Sequence, residues 1–228
     1  MRVLSREALG RWLSANGIDA DRLTWRGDPA PFRLLVRDPA DPDAAPGPHR
    51  RLSVPGEETI IKIPLADRPR LSRLVSRIMY EAGVGEVCAF GLPESYWLNN
   101  RGYAAYLEKV EDARRIHRFL SRAGLTNRFR GGFLVRPHEF ESHLPMLAAQ
   151  PFCGGPDVVF ASAAPPILVT ACHEFDLHVE LRSAELTDRV SELARGVNLD
   201  VRRSDLPPAA DDSDISAEGA KAASQPPS

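Results

Sequence analysis

Leu9, Trp12 and Leu13 fall on one face of a helix over residues 5–16, and Gly17 just beyond supplies its terminator. Apolar runs at 31–36 and 59–63 predict strands. Between them, 38–56 is dense in Asp, Pro and Gly and reads as an unusually long loop. Asp67 then caps a helix with Pro69 in its first turn, and Leu71, Leu74, Val75, Ile78 and Ala82 repeat at helical spacing up to Gly83. A strand over 86–92 follows, then a helix over 102–123 with Leu107, Val110, Ala113, Phe119 and Leu120 inward and Gly124 as terminator. The pattern closes with a strand at 129–135, a short helix at 138–148 and three strands at 156–160, 167–171 and 175–181 separated by turns. Ser183 caps a last helix ending at Gly196, and a strand runs from Val197 to Val201.

These elements predict an α+β fold: a mixed or antiparallel sheet with several helices. The stretches 32–90 and 167–203 share a rhythm of strand, strand, helix, strand, which raises the expectation of two similar lobes. Helix-Gly-strand is also a common way to leave any helix, so the shared rhythm has a plainer explanation. The expected divisions are a basic α/β half at 1–136, an acidic β-meander plus helix half at 137–204 packed with it, and a tail at 205–228. The tail is Pro, Ala, Ser and Asp with almost no large apolar residue, a composition that predicts an acidic disordered segment.

Charge sharpens this division. The net charge of −2 hides 23 basic against 17 acidic residues in 1–140, and 6 against 14 in 141–228. Nearly all the basic residues are arginine, whose planar fork suits phosphate and carboxylate, although a GC-rich genome favours the same codons. Cys88, Cys153 and Cys172 form no disulfide framework and predict a reducing, cytoplasmic home. Arg2, Arg6, Glu7 and Arg11 interrupt any signal-peptide apolar region, and no run approaches the roughly 20 residues of a membrane helix, so no membrane partner is expected.

Arginine placement supplies the first candidate site. Arg70, Arg73 and Arg77 share one helix face opposite the apolar one. Arg70 and Arg73 lie near the positive end of the helix dipole, which disfavours cations by about 0.3–1 kcal/mol each unless an anion compensates. A solvated or internally paired face is the alternative. Arg114, Arg115, Arg118 and Arg122 end their helix in the order that the dipole rewards, so they call for no ligand. Just beyond, Arg128 and Arg130 flank Phe129 before Gly131 and Gly132, an arrangement suited to phosphate or stacked bases, or simply to a turn into a strand. No Lys-Ser/Thr follows the glycines, so this is not a nucleotide loop. Tyr96 and Trp97 bring apolar area with polar tips, the mix of pockets and interfaces, while packing is the commoner use.

The histidines invite a metal. His138 and His143, like His173 and His178, stand five apart, one residue too long for a shared helical pair and of opposite parity on a strand. Cys172, Glu174, Asp176, His178 and Glu180 do alternate onto one strand face, from which Glu174, Asp176 and His178 form a candidate metal set. A wet sheet face is the plainer account. Cys172 and His173 are strand neighbours and should face apart, which argues against a nucleophile dyad.

The leading functional expectation is a non-enzymatic binding or regulatory protein. Arg70, Arg73, Arg77, Arg128, Arg130, Tyr96 and Trp97 would recognise a nucleic acid or an acidic protein surface, without a cofactor. The acidic tail could compete for that surface. A metal-dependent hydrolase or nuclease using the acidic/His strand face is the rival, and a structural subunit of a complex the third possibility.

Overall fold

The structure is a computed structural model and describes residues 1–19, 24–25, 32–37, 50–53, 60–63, 69–92, 96–97, 111–126, 128–153, 155–173 and 175–203. An eight-stranded antiparallel sheet organises them. Its strands are β1 (Arg2–Leu4), β4 (Phe32–Arg37), β7 (Val87–Gly91), β8 (Gly132–Val135), β9 (Val158–Ala163), β10 (Pro166–Cys172), β11 (Asp176–Leu181) and β12 (Asp200–Arg203). They lie in the order β1-β8-β7-β9-β10-β11-β4-β12. Two small hairpins stand apart from this sheet: β2 (Ile18–Asp19) with β3 (Thr24–Trp25), and β5 (Arg50–Ser53) with β6 (Ile60–Ile63). The predicted α+β fold is therefore observed, with five helices among the described residues: α1 (Arg6–Ala15), α2 (Pro69–Glu81), α3 (Glu111–Arg122), α4 (Phe140–Ala148) and α5 (Ala184–Arg195).

Period-two alternation sends Val87, Ala89, Phe133, Val135, Phe160, Val169, Leu177, Val179, Leu34 and Val36 to one face. There they meet the apolar stripes of four helices, including Leu71, Leu74, Val75 and Ile78 of α2 and Leu144 and Leu147 of α4. α3 packs on α4, α4 on α2, and α2 on α5. On the opposite face, Leu9 and Leu13 of α1 bury Cys88, Phe90, Leu134, Val159, Ala161 and Leu168. Burial, followed by Glu86, pushes the Cys88 thiol far up, so it packs as an inert small hydrophobe.

Local signals explain the helix ends. The Ser5 and Ser183 hydroxyls accept from the Ala8 and Leu186 N–H groups at 3.2 and 3.3 Å. Gly83 and Gly124 follow α2 and α3 with φ of +67° and +73°, which a side chain would strain.

Several boundaries move. The long stretch 38–56 includes β5, whose register with β6 sets Leu52 opposite Ile61. The strand expected from Val197 starts instead at Asp200, because Val197 to Asn198 form a turn with Asn198 at φ +58°. The two stretches of like rhythm reach different destinations. In 32–90, β4 and β7 lie far apart in the sheet and β5–β6 outside it, whereas β10, β11 and β12 all join the main sheet. Segments 1–136 and 137–203 interleave, since β9, β10 and β11 sit between β7 and β4. Asp67, residues 102–110 and the tail at 205–228 lie outside the described residues.

Gly131 is where backbone crowds backbone. A Cβ there would collide with the Leu4 carbonyl oxygen and stand 2.7 Å from the Phe129 ring. Gly131→Ala should cost about 1–3 kcal/mol, as overpacking does. Urea unfolding should show a lower midpoint with an unchanged slope; an unaltered midpoint would mean that β1 yields without cost.

Candidate functional site

Two polar assemblies stand out, one among the helices and one on the sheet. The first is a cleft of about 450 Å³ bounded by α2, α3 and α4. Arg73 and Arg77 reach it from α2, and Arg115 from α3, with the hydroxyl-bearing Ser72, Ser76 and Ser142 and the acid Glu141. Helical spacing places Arg73 and Arg77 one turn apart, next to the buried Ser72 and Ser76. Among the described residues no ion pair joins any of these three guanidinium groups to a carboxylate. Ser72 falls in the first turn of α2 with Arg73 just beyond it, and Glu141 and Ser142 fall in the first turn of α4, so two positive dipole ends lie near the cleft.

The predicted arginine surface is only partly assembled. Arg70 is half-buried, already interacts within the protein, and does not line the cleft. Arg128 is exposed and Arg130 half-buried, and neither lines the cleft. Arg130 instead stacks its guanidinium 4.0 Å from the Tyr96 ring centroid. Trp97 must be removed from the recognition set. It is 1% exposed, meets Phe133 edge-on at 4.9 Å, and donates from Nε1 to the Gly131 carbonyl at 2.9 Å. Gln150 donates to the Trp97 carbonyl at 2.6 Å, so this residue closes the core and presents nothing to a partner.

Arg115 was not expected. Its place in an ordered run of charges accounted for it without a ligand, yet the spacing carried a signal. Arg115 stands four residues before Phe119, at the border of the stripe made by Ile116 and Leu120, and so leans toward the neighbouring helix.

The second assembly lies on the sheet face that α1 leaves uncovered. β10 and β11 pair with Cys172 opposite Asp176 and Thr170 opposite His178, so these side chains share that face. β4 pairs on the other side of β11 with Arg37 opposite Asp176 and Arg33 opposite Glu180. Arg37 Nη2 lies 3.1 Å from Asp176 Oδ2, and Arg33 Nε 3.4 Å from Glu180 Oε1. His178 Nε2 lies 3.1 Å from Asp176 Oδ1, though out of line for a hydrogen bond that would satisfy that oxygen. Cys172, Asp176 and His178 each bring one ligand atom within 4.8 Å of the others. Glu174 lies outside the described residues.

Cys172 and His173 do not face apart. β10 ends at Cys172, the turn reorients His173, and Sγ comes 3.8 Å from Nδ1. Asp157 holds that turn, accepting from the His173 N–H at 2.8 Å and meeting Nδ1 at 2.9 Å. Phe175, with φ +64°, completes the hairpin. His138 and His143 join no such cluster among the described residues. Burial, with the N-terminal amino group second, lowers His143, which accordingly stays neutral near pH 7.

Electrostatics follow from these contacts. His178 is raised to about 10, chiefly by the Asp176 carboxylate and then by Cys172, against the effect of burial. At Asp176 burial pulls upward, but the His178 and Arg37 contacts together prevail and hold the carboxyl below its usual value. Burial raises Glu180, with Arg33 and then His178 pulling the other way.

Comparison with protein-family models, characterised proteins and solved structures finds no match to the chain. No helix among the described residues is long and apolar enough to cross a membrane.

The pair makes stability depend on pH in a defined window. A raised His178 stabilises the fold fully below its unfolded value of 6.5 and loses that contribution as pH climbs through about 10. A lowered Asp176 contributes above 3.8 and loses its share as pH falls through its lower folded value. The difference in melting temperature between wild type and His178→Gln should therefore be largest between 3.8 and 6.5, shrinking to nothing above about pH 10. A difference that stays constant from about pH 5 to 10 would show that His178 is not held charged by Asp176.

Proposed function

We propose that the chain is a non-enzymatic binding protein that holds an anionic partner in the cleft between α2, α3 and α4. One observation carries this reading: three arginines from two helices converge on one cleft without a carboxylate partner among the described residues. Cations gathered in this way repel one another, a cost that an incoming phosphate or carboxylate would offset. The guanidinium fork binds such groups in pairs of parallel hydrogen bonds. Glu141 gives the cleft an acidic lip, which favours ligands that also carry a donor.

A nucleic acid is the first partner to test, with an acidic protein surface next. The arrangement offers positioning and charge. Ser142 Oγ does lie 2.7 Å from His143 Nδ1, but both atoms also meet the Glu139 carbonyl of the preceding turn. That is a local helix contact, so binding fits better than turnover.

Neutralising three phosphates of a duplex gives a salt slope of about −2.7, so raising salt fourfold should weaken binding about 40-fold. Fluorescence titration with mixed-sequence RNA and DNA at about 50 and 200 mM salt measures this directly. Arg73→Glu combined with Arg77→Glu should reduce affinity at least about tenfold at the lower salt with little change in stability, because both side chains are exposed. Equal binding by the double variant would place the interaction elsewhere. A wild-type chain that ignores every nucleic acid at the lower salt would rule that partner out and make an acidic protein surface the next to test.

A further inference from the structure

The hairpin end of the sheet carries a donor set that the arginine cleft does not use. We propose that Cys172, Asp176 and His178 form a binding site for a divalent cation of the zinc class. The sulfur, oxygen and nitrogen donors all lie within 4.8 Å of one another. Ligand atoms around a tetrahedral zinc stand about 3.3–3.8 Å apart, so small side-chain rotations suffice to close on an ion.

An independent observation is Asp176 itself. It is 1% exposed, and its Oδ1 has no hydrogen-bond partner among the described residues. The His178 ring 3.1 Å away compensates the charge of this carboxylate without a hydrogen bond, and a cation between the two groups would give that oxygen a bonded partner. The other oxygen is already engaged: Arg37 holds Oδ2 at 3.1 Å, fixing the carboxylate with Oδ1 turned toward His178. A positioning contact of this kind to the non-ligating atom is the usual outer support of a metal ligand.

The hairpin register explains why these donors meet. Cys172 and Asp176 are directly opposed across β10 and β11, and His178 follows two residues along the same face. Asp157 and His173 also stand near Cys172, but the Asp157 carboxylate and His173 Nδ1 are engaged with each other, and Asp157 also accepts from the His173 N–H. The mixed sulfur, nitrogen and oxygen set suits zinc and not magnesium or calcium, which take oxygen donors. His178 is 54% exposed, giving an ion a route from solvent, and three protein donors leave a position for water. On binding, the Cys172 thiol and the His178 imidazolium each release a proton to solvent, so the ion meets thiolate, carboxylate and neutral imidazole.

The test uses the full chain after dialysis against a chelator. Zinc should return in one equivalent by elemental analysis, and cobalt(II) should give a thiolate-to-metal charge-transfer band. Cys172→Ser should abolish the band. His178→Gln, at an exposed position, should keep the circular dichroism spectrum and weaken zinc binding at least about 100-fold, the upper range for losing even a supporting residue. His173→Gln should change neither. Absence of stoichiometric zinc, a band that survives Cys172→Ser, or a loss on His173→Gln in place of His178→Gln would each overturn the site.

Discussion

Along β11, neighbouring side chains enter opposite environments. Leu177, Val179 and Leu181 drive into the helix-packed core, while Asp176, His178 and Glu180 turn to the other face. A slip of one residue would bury a charged row and expose an apolar one, so the register is held by the hydrophobic effect on one side alone. The polar face inherits that accuracy. Asp176 meets Cys172 on one flank and Arg37 on the other, because β10 and β4 are locked by the same apolar alternation. Every distance in the candidate metal cluster is thus a consequence of core packing on the far side of the sheet.

The helices express the same constraint differently. α2 buries Leu71, Leu74, Val75 and Ile78, which leaves Arg73 and Arg77 no choice but to project outward. Packing α4 between α2 and α3 then determines which outward groups converge. Arg115 comes into the cleft because Ile116 and Leu120 anchor α3 in the core. The charge cluster is therefore imposed by burial, while its cost is electrostatic.

Much of the fold was legible in the sequence where periodicity is long or a terminator is explicit. α2 and α5 follow from apolar spacing with Gly83 and Ser183 at their ends. The β9–β11 meander follows from short runs divided by turns. Sheet order was not legible, since placing β4 beside β11 joins residues about 140 positions apart and nothing local encodes it. One signal did exist: Arg33 and Arg37 have the same spacing as Asp176 and Glu180, which antiparallel pairing matches charge for charge. For the candidate sites, spacing singled out Arg73, Arg77, Asp176 and His178. It put Cys172 on the same face as the last two without including it in the metal set, while bringing Arg115 to the cleft needed the tertiary arrangement. Trp97 misled because an indole suits a core and an interface equally well by composition.

The uneven charge of the chain takes on physical meaning in this light. A basic front and an acidic back first suggest a large cationic surface awaiting a partner. Part of that excess is consumed inside the molecule, where Arg33 and Arg37 from the front meet Glu180 and Asp176 from the back across one strand pair. Arg203 pairs with Asp188 within the back segment, and Arg130 is occupied by Tyr96. Such satisfied groups add nothing to a cationic surface, and among the described residues the helix cleft is where three arginines meet. Net charge points to the wrong quantity here, because attraction for a partner depends on the charges left uncompensated at one place. By the same logic, the charge of Asp176 is already met by Arg37 and His178, and what its neighbours leave open is one hydrogen-bonding position on Oδ1.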